Sequence, residues 1–317
     1  MNKDLINFLK WQLLARLPHG SIYERVKEGM KNIELTKEDP FYYIYWLDLN
    51  RSHLKKYVLG TFKTQNADYI PFIRFLDQNY RCGKFYEMKT SFGTIQIPRP
   101  KLEDYKCFKA EFLDIVMPYL VDAPLPFLEG PYEYQDVTLE TGDVVLDLGA
   151  NYGLFSSVAL AKGCEVYAFE PTPQVKTDYL DMLAQRNLNL KVVEEAISNT
   201  VGTALFETNS VASCNKIVVA DTKTPTVLVK TTTIDDFVST KNLHCIDFIK
   251  ADIEGVERLM LEGAKRTIQE FAPKLSICYY HKIDDLKVLR RMILEANPNY
   301  DIKVQYRKIY VKDRRKK

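Results

Sequence analysis

Short apolar runs alternate with helix-forming segments through the second half of the chain. Buried strands are predicted over residues 144–149, 165–171, 190–198, 245–251 and 274–280. Helices are predicted between most of them, including one over residues 254–271. Neighbouring parallel strands need a crossover connection, and an α-helix is the usual one. The alternation therefore predicts an α/β fold built on a doubly wound parallel sheet.

Three further strand-forming segments depart from this alternation. Residues 204–209 and 225–232 are predicted strands around a polar loop, which indicates an inserted hairpin. Residues 300–311 are predicted to form paired strands at the end of the fold. The basic tail KDRRKK that follows is predicted to be a solvated end.

The first part of the chain has a different pattern. Aromatic and charged residues recur at helical spacing over 5–17, 41–59, 72–80 and 103–120, and residues 85–98 alternate around a glycine turn as a hairpin does. A chain of 317 residues is long enough for one large and one smaller domain. We therefore predict a mainly helical N-terminal cap or substrate region over residues 1–128 and a sheet domain over residues 129–317.

Charge, hydropathy and cysteine usage narrow the class of protein. The formal net charge of +2 creates no global field, so no nucleic-acid partner is expected. No apolar run reaches the roughly 18 residues that span a bilayer, so no transmembrane segment is predicted. The N-terminal 20 residues are typical of an amphipathic helix and not of a signal peptide. Six cysteines without C-x-x-C spacing favour a reducing, cytoplasmic location.

The first predicted strand ends in a turn of small residues, DLGANYG at 147–153. Gly149 allows a tight turn, and Gly153 opens the next helix, whose N-terminus presents free N–H groups. The dinucleotide fingerprint is G-x-G-x-x-G, but Asn151 stands where the middle glycine admits a pyrophosphate. The carboxylate of Asp147 would repel a pyrophosphate and would suit a ligand that carries an ammonium group.

The second predicted strand ends in Glu170. An acidic residue at this position accepts hydrogen bonds from both hydroxyls of a ribose. Alone, Glu170 is equally well explained as an exposed residue before a helix; beside the loop at 149–153, the ribose interpretation is favoured. A ligand with a ribose, a positive amine and no pyrophosphate is S-adenosylmethionine.

Four separated segments now resemble one known family in order and spacing. VVLDLGANYG, VYAFEP, IDFIKADIEGVERLMLEGA and YYHK are similar to the motifs of FkbM-type methyltransferases. The resemblance covers roughly residues 129–311. It implies a Rossmann-like methyltransferase sheet of seven strands with a reversed final hairpin, which residues 300–311 would supply.

The resemblance also implies a set of cofactor contacts. Gly149, Ala150, Asn151 and Gly153 would form the cofactor loop, Glu170 would hold the ribose, and Tyr132 would line the cofactor. Glu195 and Ala196, at the end of the third strand, would face the adenine; the family often has an amide where this chain has Glu195. Asp252 would lie near the sulfonium methyl group, and Asp147 near the amino-acid tail.

The ends of the fourth and fifth strands supply the candidate catalytic residues Lys250, Asp252 and His281. The ordinary pKa of histidine suits removal of a hydroxyl proton near neutral pH. We predict His281 as the general base, with Asp252 as its rival. For Glu257 a simpler alternative is stabilisation of a helix N-terminus. Asp252, Glu254 and His281 offer metal-ligand atoms, but no spacing demands a metal and none is predicted.

The predicted reaction is methyl transfer from S-adenosylmethionine to an oxygen. The resemblance suggests a hydroxyl of a sugar, a polysaccharide intermediate or a secondary metabolite, so the expected partner is a small-molecule or glycan acceptor. Two alternatives stay open: a nucleic-acid methyltransferase, and a non-catalytic module that binds the cofactor. The sequence also leaves open whether the chain forms a homo-oligomer.

Overall fold

The structure, a computed structural model, describes residues 70–120, 129–207, 216–218 and 226–316. The chain divides into two compact units, residues 1–74 with 123–126 and residues 75–122 with 127–317. The helices predicted over 5–17 and 41–59 lie outside the described residues, so the cap over residues 1–128 stays a prediction. Residues 75–122 belong to the same unit as the sheet domain predicted from residue 129 onward.

The N-terminal part of the described chain has two helices and a small sheet. Helix α1 spans Ile70–Asn79 and helix α2 spans Tyr105–Ile115. Strands β1 (Arg81–Cys82), β2 (Phe85–Lys89) and β3 (Thr94–Pro98) pair antiparallel in this order. These elements confirm the helices predicted over 72–80 and 103–120 and the hairpin over 85–98. Helix α2 stops before Pro118, which has no N–H to continue it.

A seven-stranded sheet follows, with helices between its strands. Its strands are β4 (Val144–Leu148), β5 (Glu165–Phe169), β6 (Leu190–Val193), β11 (Phe248–Ala251), β12 (Lys274–Cys278), β13 (Tyr300–Gln305) and β14 (Lys308–Asp313). The intervening helices are α3 (Leu154–Ala161), α4 (173–184, with a π-helical turn at Lys176–Leu180), α5 (Ile234–Thr240), α6 (Glu257–Glu262), α7 (Lys265–Phe271) and α8 (Asp285–Ala296).

The strand order is β13–β14–β12–β11–β4–β5–β6. Strand β14 is antiparallel to both of its neighbours, whereas the other adjoining strands are parallel. This confirms the predicted doubly wound α/β sheet with a reversed final hairpin. The chain changes direction across the sheet at β4, and such a switch point leaves a crevice beyond the carboxyl ends of the strands.

The core lies between this sheet and its helices. Leu146 and Ile249 of the sheet are fully buried in one cluster with Phe237 of α5 and Leu289 of α8. Burying one such side chain contributes about 1.5–3 kcal/mol. This packing holds the ends of β4 and β11 side by side.

Two predicted elements differ in the structure. The single strand predicted over 190–198 is divided into β6 and β7 (Ala196–Ile197), and β7 joins a second sheet of order β7–β10–β8–β9. That sheet contains β8 (Gly202–Glu207), β9 (Lys216–Val218) and β10 (Thr226–Thr232), which confirms the inserted hairpin. The helix predicted over 254–271 is divided at Gly263, where a Cβ atom would lie 2.6 Å from the carbonyl oxygen of Ser198.

Within the part of the chain that the structure describes, no helix combines the length and the apolar character needed to cross a membrane.

Candidate active site at the carboxyl edge of the sheet

The loop after β4 makes a tight turn against the neighbouring strand ends. Gly149, Asn151 and Gly153 all have positive φ angles, of 76°, 46° and 73°. The backbone N–H groups of Gly149 and Ala150 both donate to the carbonyl oxygen of Phe169, at 3.1 and 2.9 Å. A Cβ atom on Gly149 would lie 2.0 Å from the carbonyl oxygen of Asp252. The loop therefore depends on glycine here, and its close packing brings the ends of β4 and β11 together.

Glu170 follows β5 and is hydrogen-bonded to the same loop. Its Oε2 accepts from the backbone N–H of Asn151 at 3.1 Å, and its Oε1 accepts from that of Thr172 at 2.9 Å. Burial raises the pKa of this carboxyl. A carboxylate has about four acceptor positions, so each oxygen keeps one for a further donor. This arrangement fits the ribose hydroxyls of a nucleoside.

Asp147 and Lys250 form a buried ion pair between β4 and β11. The Asp147 Oδ1 and Lys250 Nζ atoms are 3.0 Å apart, and the side chains are 0% and 4% exposed. Ser156 Oγ donates to Asp147 Oδ2 at 2.6 Å, and Lys250 Nζ donates to the carbonyl oxygen of Gly149 at 2.6 Å. The Asp147 carboxylate is enclosed by protein groups, and its contact with a ligand's ammonium group stays a prediction. The pair ties the loop after β4 to β11.

Asp252 stands just beyond the end of β11, among cations and hydroxyl groups. Tyr132 Oη donates to its Oδ2 at 2.7 Å, and Tyr280 Oη donates to its Oδ1 at 3.1 Å. Burial acts to raise the pKa of Asp252, but the charges of Lys250 and Lys308 outweigh burial and hold it below its ordinary value. Asp252 is therefore an oriented, ionised carboxylate at the centre of the site.

His281 faces three carboxylates. Its Nδ1 lies 2.9 Å from Glu257 Oε1, and its Nε2 lies 3.6 Å from both Asp252 Oδ1 and Glu254 Oε2. Burial acts to lower the pKa of His281, but the hydrogen bond and charge of Glu257, with the other carboxylates, raise it to about 9. Burial and the charge of Asp252 raise the pKa of Glu254 to about 7.

Glu257 has two structural roles. It is the first residue of α6, where a negative charge stabilises the N-terminus of the helix, as the simpler alternative for this residue predicted. It also accepts the backbone N–H of Ile253 at 3.1 Å and lies against His281. Its side chain is only 1% exposed, so Glu257 belongs to the site as the partner that orients His281.

The residues predicted to face adenine belong to the second sheet and to the link that leads into it. Ala196 begins β7 and is buried with Phe206 and Val229 in the core of the second sheet. Glu195 is half-buried in the link between β6 and β7. Their contact with adenine stays a prediction.

Sequence reasoning missed two residues that support the site. Glu111 of α2 accepts a hydrogen bond from Asn151 Nδ2 at 2.6 Å, and burial raises its pKa to about 8. Lys308 of β14 lies 4.4 Å from the centre of the Tyr132 ring and donates to the carbonyl oxygens of Glu129 and Gly130. Neither residue adjoins its partner in sequence, and only the fold brings each pair together.

The family comparison agrees with this geometry. Residues 147–308 match the model of the methyltransferase FkbM domain, about half of the chain. The chain belongs to the FkbM methyltransferase family. The matched segment runs from Asp147 to Lys308 and contains the loop, Glu170, Asp252 and His281.

Individual relatives of this FkbM family member are distant. The chain is 26% identical over 167 residues to the hexuronic acid methyltransferase AglP of Haloferax volcanii, a match that covers 51% of this chain and 66% of AglP. The FkbM methyltransferase of Methylobacillus flagellatus is similar at 19% identity, with a TM-score of 0.44, over 97% of this chain and 59% of that one. The Methanococcus jannaschii fibrillarin pre-rRNA processing protein is similar at 12% identity, with a TM-score of 0.35, over 57% of this chain and 69% of that one.

Proposed function

We propose that this protein is an S-adenosylmethionine-dependent methyltransferase that methylates a hydroxyl oxygen of a sugar, a polysaccharide intermediate or a secondary metabolite. One observation carries the proposal: the loop bound to Glu170 packs directly on Asp252, so a nucleoside-binding edge adjoins a charged cluster. The FkbM family relationship supports methyl transfer, and the distant relation to a hexuronic acid methyltransferase supports a sugar acceptor.

The cofactor is proposed to lie along the loop and Glu170. When bound, S-adenosylmethionine supplies an activated methyl group on a positively charged sulfur. Glu170 accepts hydrogen bonds from the ribose hydroxyls. The loop 149–153 allows the close approach of the ligand, and Tyr132 lines the site beside Asp252. Lys250 fixes the loop through Gly149 and is a positioning residue in this scheme.

The acceptor is proposed to enter beside the cluster at the ends of β11 and β12. Methyl transfer needs alignment of the acceptor oxygen and removal of its proton. Asp252 and His281 are the two candidates to receive that proton, at Oδ1 or Nε2 respectively. The carboxylates around His281 raise its pKa to about 9, so His281 is mainly protonated at neutral pH and could act as the base only in its deprotonated form. The hydroxyls of Tyr132 and Tyr280 hold the Asp252 carboxylate in place for this task.

Calorimetry with S-adenosylmethionine tests the proposed binding of the cofactor. Glu170→Gln should weaken binding about 10- to 100-fold, because it removes a charged acceptor worth about 1.5–3 kcal/mol. Glu194→Gln is the matched control, since that side chain is 71% exposed beyond β6. His281→Gln should reduce turnover with little change in cofactor affinity. Asp252→Asn should reduce turnover and also weaken cofactor binding, because Asp252 is proposed to lie beside the positively charged sulfur. No binding of the cofactor at millimolar concentration would overturn the proposal.

Transfer of a labelled methyl group tests the proposed class of acceptor. We expect incorporation into glycans or free sugars with uronic acid or other hydroxyl-bearing units, and none into RNA offered at the same mass concentration. Transfer to RNA alone would replace this acceptor with a nucleic acid. Cofactor binding without transfer to any acceptor in extracts of the source cell would favour a non-catalytic module.

A further inference from the structure

Three side chains at the ends of β11 and β12 converge on one point. One ligand-type atom from each of Asp252, Glu254 and His281 lies within 4.8 Å of the other two. The Nε2 atom of His281 is 3.6 Å from an oxygen of each carboxylate. Ligand atoms bound at about 2.0–2.2 Å to one metal ion are roughly 3 Å apart. Small side-chain rotations would therefore bring all three atoms into one coordination shell.

The imidazole of His281 is arranged to present Nε2 to this point. The His281 side chain is 9% exposed, and its Nε2 is buried without a hydrogen-bond partner among the residues that the structure describes. Its Nδ1 lies 2.9 Å from Glu257, a carboxylate that is itself 1% exposed. A histidine that binds a metal almost always donates its other ring N–H to such a carboxylate. This second carboxylate is an observation independent of the convergence itself.

The Asp252 carboxylate is also held in position, because the hydroxyl groups of Tyr132 and Tyr280 bond to it. Asp252 supplies one negative charge, and Glu254, whose pKa is about 7, would supply a second when an ion displaces its proton. Two negative charges balance one divalent cation. The three protein ligands would leave coordination positions open for oxygen atoms of a second molecule.

We propose that Asp252, Glu254 and His281 bind a divalent transition-metal ion, with Glu257 orienting His281. The mixed nitrogen and oxygen set favours Mn²⁺ or a similar first-row ion, because Mg²⁺ and Ca²⁺ prefer oxygen ligands alone. Metal binding itself does not require the proposed function. The role of the ion does rest on it: the ion would hold the acceptor oxygen and make its proton easier to remove. With Nε2 bound to the ion, His281 would be a ligand and not the base, so the proton would pass to solvent.

Titration of the full chain with Mn²⁺ tests the site. The electron paramagnetic resonance signal of free Mn²⁺ is recorded, and its decrease measures the ion that the protein binds. The chelator-treated protein, without S-adenosylmethionine, should bind one ion per chain. Glu254→Gln and His281→Gln should each weaken binding at least about tenfold, and Glu257→Gln about 10- to 100-fold. Glu262→Gln is the control, because this exposed carboxylate of α6 bonds to Asn199 away from the site and should leave Mn²⁺ binding unchanged.

Thermal unfolding of each variant separates a lost ligand from a lost fold. Absence of Mn²⁺ binding at millimolar metal, or equal binding by the wild type and the three site variants, would overturn the proposal. Equal affinity for Mg²⁺ would overturn the assignment to a transition metal. A protein that binds S-adenosylmethionine but not Mn²⁺ would refute this inference alone, whereas the converse would refute the proposed cofactor.

Discussion

The carboxyl edge of the seven-stranded sheet has two halves, and different chemical groups form each of them. The half after β4 and β5 is a loop of backbone groups, with three residues at positive φ and the Glu170 carboxylate bound to two backbone N–H groups. The half after β11 and β12 is a set of charged side chains around His281. The structure after β4 and β5 therefore depends on backbone conformation, whereas the structure after β11 and β12 depends on interactions between charged side chains.

This contrast suits a division of labour. The N–H and C=O groups of a backbone loop cannot be exchanged without changing the path of the chain. A cluster of side chains is easier to alter, and its charges depend on their partners. We therefore expect substitutions in the loop to act through sterics and substitutions near the cluster to act through unpaired charge.

The largest expected effect is that of Gly149→Ala. The new Cβ would lie 2.0 Å from a backbone oxygen at a φ of 76°, so the ends of β4 and β11 would have to separate. Overpacking and backbone strain together should cost about 4 kcal/mol or more in the free energy of unfolding, measured by denaturant titration. Gly83→Ala is the control: φ is 62°, no atom lies within 4 Å, and the cost should be about 1–2 kcal/mol. Equal costs would contradict a steric basis for the loop.

The second effect concerns Lys250, which joins the two halves. Lys250→Met leaves Asp147 buried without its cation, and such a change should lower the free energy of unfolding by about 3–4 kcal/mol. Adding Asp147→Asn should restore much of this loss, because it removes the unpaired charge. Arg291→Met breaks an exposed pair with Glu295 and should cost at most about 0.5 kcal/mol. A double variant as unstable as Lys250→Met would show that charge is not the cause.

The third effect depends on pH and concerns Glu111, which accepts a hydrogen bond from Asn151 of the loop. Its pKa of about 8 lies above the ordinary value of 4.5, so between these pH values the folded state binds more protons than the unfolded state. Stability contributed at this residue is present at acid pH and is lost as the pH rises towards 8. Glu111→Gln should therefore gain stability relative to the wild type as the pH rises from about 5 to about 8, by up to about 1.4 kcal/mol for each pH unit.

Melting temperatures of Glu111→Gln and the wild type across that pH range measure this difference. Glu103→Gln, a change of an exposed residue close to α2, should follow the wild type at each pH. A pH-independent difference between Glu111→Gln and the wild type would mean that the carboxyl does not titrate as its burial indicates.

The backbone half could be predicted from the sequence, and the charged half only in part. The turn GANYG and the acidic residue after β5 are local signals, since φ preference and strand ends are encoded by neighbouring residues. The side chains Asp252, Glu254 and His281 were grouped from strand ends, but the contact of His281 with Glu257 was not predicted. Asp147 shows the limit most clearly, because it looks like a ligand contact in sequence and is the buried partner of Lys250 in the fold.

Some elements of the fold show the same limit. The apolar pattern over 190–198 predicts one strand, yet its two halves join different sheets. The pattern over 254–271 predicts one helix, yet Gly263 divides it where the chain packs on Ser198. In both places a contact with residues distant in sequence divides the predicted element. The periodicity of residues within that element contains no information about such a contact.

By itself, the sequence determined the alternation of strands and helices, the loop after β4 and the acidic residue after β5, because these depend on local periodicity and backbone preference. The tertiary structure alone decided the strand order, and with it the Asp147–Lys250 pair, the contact of Glu111 with Asn151 and the setting of His281 among three carboxylates. The physical reason is that charge pairing depends on distance in space, and packing of the core sets that distance.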